Sequence, residues 1–167
     1  YSALTYGMHE IGTRTKRIVT MSSIYIVGVG MTRFGKFLER SVKDLTAEAV
    51  TSALQDADAG ISDIEGAWFA NAAQSTLEGQ GSIPGEIALR NMGIQEIPVT
   101  NVENACASAS TALDMAATWL EAGRGGVALA VGAEKMFHAD KAKMFSVFDG
   151  GWDVHDVQAA TNRLLAL

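Results

Sequence analysis

The chain contains a single cysteine, Cys106, among its 167 residues. One thiol excludes an internal disulfide and a zinc site made of cysteines alone. It fits a reducing compartment, and a cytoplasmic location is the expectation. Positive charge is also short: 13 Lys and Arg against 19 Asp and Glu leave a net charge of −6, so no broad basic surface exists for nucleic acid or an anionic membrane. No apolar run reaches membrane-spanning length, and residues 1–20 hold no apolar block of signal-peptide size. Metal-ligand spacing is missing as well, because Asp149, Asp153, His155 and Asp156 crowd together without a recognisable ligand pattern. What remains is a soluble chain, 48% hydrophobic and 19% charged, a balance suited to one globular domain with a core.

Three regions follow from composition. Residues 1–20 carry Arg14, Lys16 and Arg17 close together without periodicity and read as an upstream or expression-derived extension without fixed structure; a basic targeting segment is the alternative. Residues 21–136 carry the core domain. Residues 137–167 begin a loop region that stops on an apolar Leu-Leu-Ala-Leu, and the chain reads as part of a longer fold.

Strand and helix signals alternate through the core. "IYIVGVG" (24–30) predicts a buried strand, "GAWFAN" (66–71) a second, "IPVTNVE" (97–103) a third and "VALAVGAE" (127–134) a fourth. Ser41 with Asp44 three positions on forms a capping-box variant that opens a helix over 41–58, with Gly60 marking its end. A glycine-rich loop (Gly79, Gly81, Pro84, Gly85) leads into a short helix at 86–91 stopped by Gly93. The helix over 107–122 has alanines at 107, 109, 112, 116, 117 and 122 and only Asp114 and Glu121 as charges. It is expected to lie covered on most sides, sandwiched between layers. The whole is an α/β fold with a mostly parallel sheet.

Cys106 has two readings. A free cysteine is often a small buried core residue. Yet it stands at a strand-to-helix turn, the usual place for chemistry in α/β folds. Unpaired N–H groups in a first helical turn favour a thiolate and can hold an oxyanion on an acyl group attacked by the sulfur. Local sequence leaves both open.

The pattern "NVENACASASTALDMAATWLEAGRGGVALAVGAEKM" (101–136) resembles the nucleophile segment of the thiolase family. An asparagine-rich strand end precedes the cysteine, an alanine-rich helix follows it, and a later strand ends Gly-x-Glu-x-Met. "IYIVGVGMTRFGKF" and "EGQGSIPGEIALRNMGI" are similar to the sterol-carrier-protein-type branch of that family. The resemblance implies a layered α-β-α domain with a mostly parallel mixed sheet and a buried central helix. It also implies acyl transfer to Cys106 from acyl-CoA or 3-ketoacyl-CoA, with the Cys106 backbone N–H in the oxyanion hole. Coenzyme A thioesters would be substrates, with no bound cofactor or metal. It further implies a homodimer built around residues 75–105. The chain departs from the family in having no Gly-His-Pro and no second cysteine, so acyl transfer by these residues alone should be weak. The rival expectation is a non-catalytic thiolase-like subunit or lipid-binding scaffold, including a partner in a sterol side-chain aldolase; ketoacyl synthases are a weaker third reading.

Other signals read as structural. Gly28-x-Gly30 lacks the third glycine of a dinucleotide fingerprint, since Arg33 stands there. Lys141 and Lys143 read as a solvated turn, with contact to CoA phosphates the alternative. His9, His138 and His155 read as surface residues. Trp68, Trp119 and Trp152 read as core or interface aromatics, and Met115 with Trp119 as a packed i, i+4 pair.

Overall fold

The computed structural model describes residues 23–156 together with 158, 161 and 162. The expected extension at 1–20 with His9, and most of the closing stretch 157–167, lie outside them. Three strands, β1 (Gly66–Ala70), β2 (Val99–Val102) and β3 (Ala128–Gly132), form a parallel sheet in the order β2-β1-β3. The register sets Trp68 opposite Thr100 on one side and Ala130 on the other. All five residues of β1 are buried, as a central parallel strand covered on both faces must be.

Helix α1 (Val42–Asp56) starts as the sequence indicates. Asp44 donates its N–H to Ser41 Oγ at 3.2 Å, and Asp44 Oδ2 accepts the Ser41 N–H at 2.8 Å. It ends at Asp56 with Ala57 as its C-cap, ahead of the expected Gly60, and Asp58 takes the left-handed turn at φ 51°. The Ser41 bonds, backbone first, hold the Asp44 carboxyl below its ordinary range. A depressed pKa contributes stability that is complete above the unfolded value and lost as pH falls through the lower folded one. Acidification through that window should therefore weaken α1 more in the wild type than in Asp44→Asn, as amide exchange in the first turn of α1 would report. Equal acid responses would remove the capping box as the cause.

Two short helices, α2 (Gln74–Glu78) and α3 (Pro84–Arg90), connect β1 to β2, and α4 (Ser108–Glu121) connects β2 to β3. One face of the sheet packs Ala67, Phe69 and Val131 against Val42, Val50 and Leu89 of α1 and α3. The other packs Trp68, Ala70 and Val102 against Ala112 and Ala116 of α4. The layered α-β-α class therefore holds, with all three strands parallel. α4 is covered on its sheet-facing side only; Leu113 and Met115 are exposed, so the sandwiched helix is not what this chain forms by itself. Trp119 meets Trp68 edge-to-face at 5.5 Å. Trp152 lies outside the core.

Residues 24–30 correct the sequence expectation most plainly. They run extended but join no strand, and Tyr25, Ile26, Val27 and Val29 point outward. The segment lies on the backbone of α1. A Cβ at Gly28 would meet Ala53 O and one at Gly30 would meet Ala49 O, each closer than any real Cβ contact. Val29 N–H donates to Asp56 Oδ2 at 2.9 Å. β-Branched residues set the extended backbone, but a strand also needs a sheet edge beside it. The expected loop after 136 also contains α5 (Lys141–Phe145), capped by Asp140 Oδ1, which accepts the Ala142 and Lys143 N–H groups. Five residues are too few for a periodic signal. No helix among the described residues is long and apolar enough to cross a membrane.

Candidate active site

The turn carrying Cys106 is built from β2 outward. After Val102 the chain passes Glu103 and Asn104, and Ala105 adopts φ 46°, a left-handed conformation that costs an alanine about 1–2 kcal/mol. A 3-10 turn, Ala105–Ala107, then feeds α4. Side chains hold it in place. Glu103 Oε1 accepts the Ala105 N–H at 2.7 Å. Ser108 Oγ accepts the Asn104 N–H at 2.7 Å and donates to Ala105 O at 2.7 Å. Asn104 Nδ2 donates to Thr111 Oγ1. Ser108 is buried while Cys106, two residues earlier, is exposed. The cysteine is thus not a core spectator in this chain: its turn is fixed from below and its sulfur side faces out.

Cys106 opens into a cavity of about 830 Å³. Ala105, Cys106, Ser108 and Ala109 form one wall, residues 30–35 with Phe37 and Leu38 a second, and residues 132–137 a third. Small residues keep the site open, since a Cβ on Gly132 would already touch Ala70 and Ala109 at 3.3 and 3.6 Å. The size is that of a small-molecule site.

Glu134 fixes the third wall. Its carboxylate accepts Asn71 Nδ2–H and the N–H groups of Ala72 and Ala73, at 3.0, 2.8 and 3.1 Å. Asn71 also donates to Ala133 O and accepts from Gln74 N–H. The ends of β1 and β3 are thereby tied into one rigid rim. This role for Glu134 was visible in the sequence only as part of the Gly-x-Glu-x-Met pattern; the bonds span some 60 positions and leave no local trace.

On the other side of β2, Asn101 joins strand to helix. Asn101 Oδ1 accepts the Gly85 N–H at 2.7 Å, and Asn101 Nδ2 donates to Glu86 Oε2 at 2.6 Å. Gly85 is needed there, because a Cβ would sit 2.5 Å from Phe69 Cβ. The preceding Ile83 is exposed at φ 46°, a rare conformation for a β-branched residue. Among the described residues β2 pairs with β1 alone and is an edge strand.

The remaining sequence candidates lie elsewhere. His138 Nδ1 accepts the Asp140 N–H and His155 is exposed; neither lines the Cys106 cavity. Asp153 Oδ1 accepts the His155 N–H, and no three His, Cys, Asp or Glu side chains among the described residues form a metal-binding group. Gly28 and Gly30 serve close packing on α1. Lys141 and Lys143 are both exposed, and the Lys141 ammonium stands over the Phe137 ring.

The family model described as "Thiolase, N-terminal domain" matches residues 24–161. Non-specific lipid-transfer protein-like 2 of Caenorhabditis elegans is 40% identical over 120 residues, covering 70% of this chain and 28% of that protein. Sterol carrier protein 2 of Gallus gallus is 37% identical, covering 79% and 24%. Acetyl-CoA acetyltransferase of Methanocaldococcus jannaschii is 38% identical, covering 70% and 29%. The chain thus spans roughly a quarter of the length of these relatives. Among solved structures, the priming β-ketosynthase of the R1128 polyketide pathway superposes with TM-score 0.53 at 20% identity, over 60% of this chain and 29% of that one. An Ltp2-ChsH2(DUF35) aldolase does so with TM-score 0.51 at 30% identity, over 62% and 25%.

Proposed function

This chain belongs to the thiolase family as an N-terminal domain, and on that footing we propose that it carries the acyl-accepting cysteine of an acyltransferase acting on acyl-CoA or 3-ketoacyl-CoA. The observation that carries the reading is the placement of Cys106: exposed, on a side-chain-braced 3-10 turn at the carboxyl end of β2, facing a substrate-sized cavity. With acyl-CoA as the donor, the Cys106 sulfur, having given up its proton, adds to the thioester carbonyl carbon. The carbon–sulfur bond to coenzyme A then breaks, and the leaving thiolate takes up a proton. The Cys106 N–H is the donor proposed for the oxyanion. Its neighbours are committed, Ala105 N–H to Glu103 and Ala107 N–H to Asn104 O.

No Gly-His-Pro and no second cysteine occur in this sequence, so a single acylation event, rather than turnover, is the measurable property of these residues. The chain incubated with acetyl-CoA should gain the mass of one acetyl group, located by peptide mapping to Cys106. Intact protein with no adduct would instead favour a thiolase-like scaffold, the reading supported by similarity to the Ltp2-ChsH2(DUF35) aldolase.

Dimerisation through residues 75–105 is proposed on the free edge of β2, which offers unpaired backbone groups to a second copy around a two-fold axis. Two differently tagged copies should co-purify. Strictly monomeric behaviour of the wild type would remove the proposal.

A further inference from the structure

Ala105 is the residue that the turn around Cys106 bends against its preference, at φ 46°. A left-handed alanine relaxes by turning one of its two flanking peptides, and a side chain holds each of them. Ser108 holds the peptide on the Cys106 side, where its Oγ and its N–H both donate to Ala105 O. A trans peptide directs its C=O and N–H opposite ways, so these bonds send the Cys106 N–H away from the buried Ser108. Glu103 holds the other peptide, its Oε1 accepting the Ala105 N–H at 2.7 Å. The result is selective. Ser108 Oγ takes the N–H of Asn104, Glu103 that of Ala105, Asn104 O that of Ala107 and Ala105 O that of Ser108. In this run, among the described residues, only the Cys106 N–H has no acceptor. The charge of Glu103 serves nothing else: it is exposed and, among the described residues, pairs with no lysine or arginine. One short bond to a strained residue is what this carboxylate does.

We propose that Glu103 is a positioning residue for acyl transfer: by holding the Ala105 N–H it keeps Ala105 left-handed and the Cys106 N–H directed at the oxygen of the attacked carbonyl. This rests on the reading of Cys106 as acyl acceptor and adds to it a residue that does not touch the substrate. Ser108 supplies the buried half of the brace. Glu103 supplies the exposed half, which a substitution removes without opening the core.

The test sets two reactions of the Cys106 thiol against each other in the wild type, Glu103→Ala and Glu103→Gln. Acylation by acetyl-CoA or by 4-nitrophenyl acetate passes through an oxyanion, whereas alkylation by iodoacetamide displaces iodide at a saturated carbon and forms none. Dividing the acylation rate by the alkylation rate at the same pH cancels the thiolate fraction, which loss of a nearby negative charge will change. In Glu103→Ala this quotient should fall roughly tenfold, because a displaced donor costs less than the about 10²–10³-fold of a deleted one. Glu103→Gln keeps an oxygen for the Ala105 N–H and should stay within about twofold of the wild type. An unchanged quotient in Glu103→Ala overturns the proposal. An equal fall in Glu103→Gln does so too, since it would assign the effect to charge. If acetyl-CoA leaves the wild type unmodified, the acyl-transfer reading fails. The quotient with 4-nitrophenyl acetate, an activated ester that an exposed thiolate attacks without any carrier being bound, still decides whether Glu103 aims the Cys106 N–H.

Discussion

Cys106→Ala is expected to eliminate the acetyl adduct, lowering acylation by about 10³-fold or more, because no other side chain in the cavity replaces a thiol as nucleophile. The fold should survive. Cys106 is exposed, and the bonds that shape its turn come from Glu103, Asn104 and Ser108, so the change in stability should stay within about 0.5 kcal/mol. Cys106→Ser tests the same point more sharply: it keeps shape and hydrogen bonding but offers a hydroxyl that resists deprotonation. Intact mass after incubation with acetyl-CoA reads both variants. An alanine variant acylated as readily as the wild type would place the chemistry elsewhere and sink the assignment.

Phe69→Ala should have the largest effect on stability. The ring lies in the middle strand with no exposed surface, packed on the face shared by α1 and α3, and its Cβ is already so near α3 that Gly85 cannot carry a side chain. A helix held this close by its backbone cannot collapse into the vacated volume. Truncation should cost about 3–5 kcal/mol, out of the 5–15 kcal/mol that holds most domains together. For a chain of this size the melting midpoint should fall on the order of 10 °C. Urea denaturation with an unchanged m-value would assign the loss to the native core. A change below about 1 kcal/mol would mean that α3 does move in and that Gly85 is not the constraint it looks to be.

Elements that depend on local chemistry were legible in the sequence. Ser41 and Asp44 announce α1 because a capping box is made entirely of residues three apart. β1 and β2 announce themselves as short apolar runs between turn residues. The segment at 24–30 carried the same signal and yet forms no strand, since pairing depends on a neighbour and not on the residues themselves. The alanines of α4 were read as burial on most sides. They equally permit close approach on one side, and composition does not distinguish the two. At the site, Cys106 stood out from its sequence surroundings and from the family pattern. The Glu134 brace and the Ser108 bonds beneath the turn did not. Each joins positions whose proximity only the folded chain creates, or uses a serine indistinguishable from any other at a helix start.

The extended segment on α1 has a consequence for how the protein is made. Tyr25, Ile26, Val27 and Val29 leave the ribosome before the helix they lie on exists, and at roughly 5–20 residues per second α1 is complete only seconds later. Even then the helix receives the glycines and leaves the apolar side chains in water. A nascent chain exposing such a ribbon is a natural client for a holding chaperone. The same ribbon makes yield and monodispersity depend on protein concentration and on what else is present to shield it.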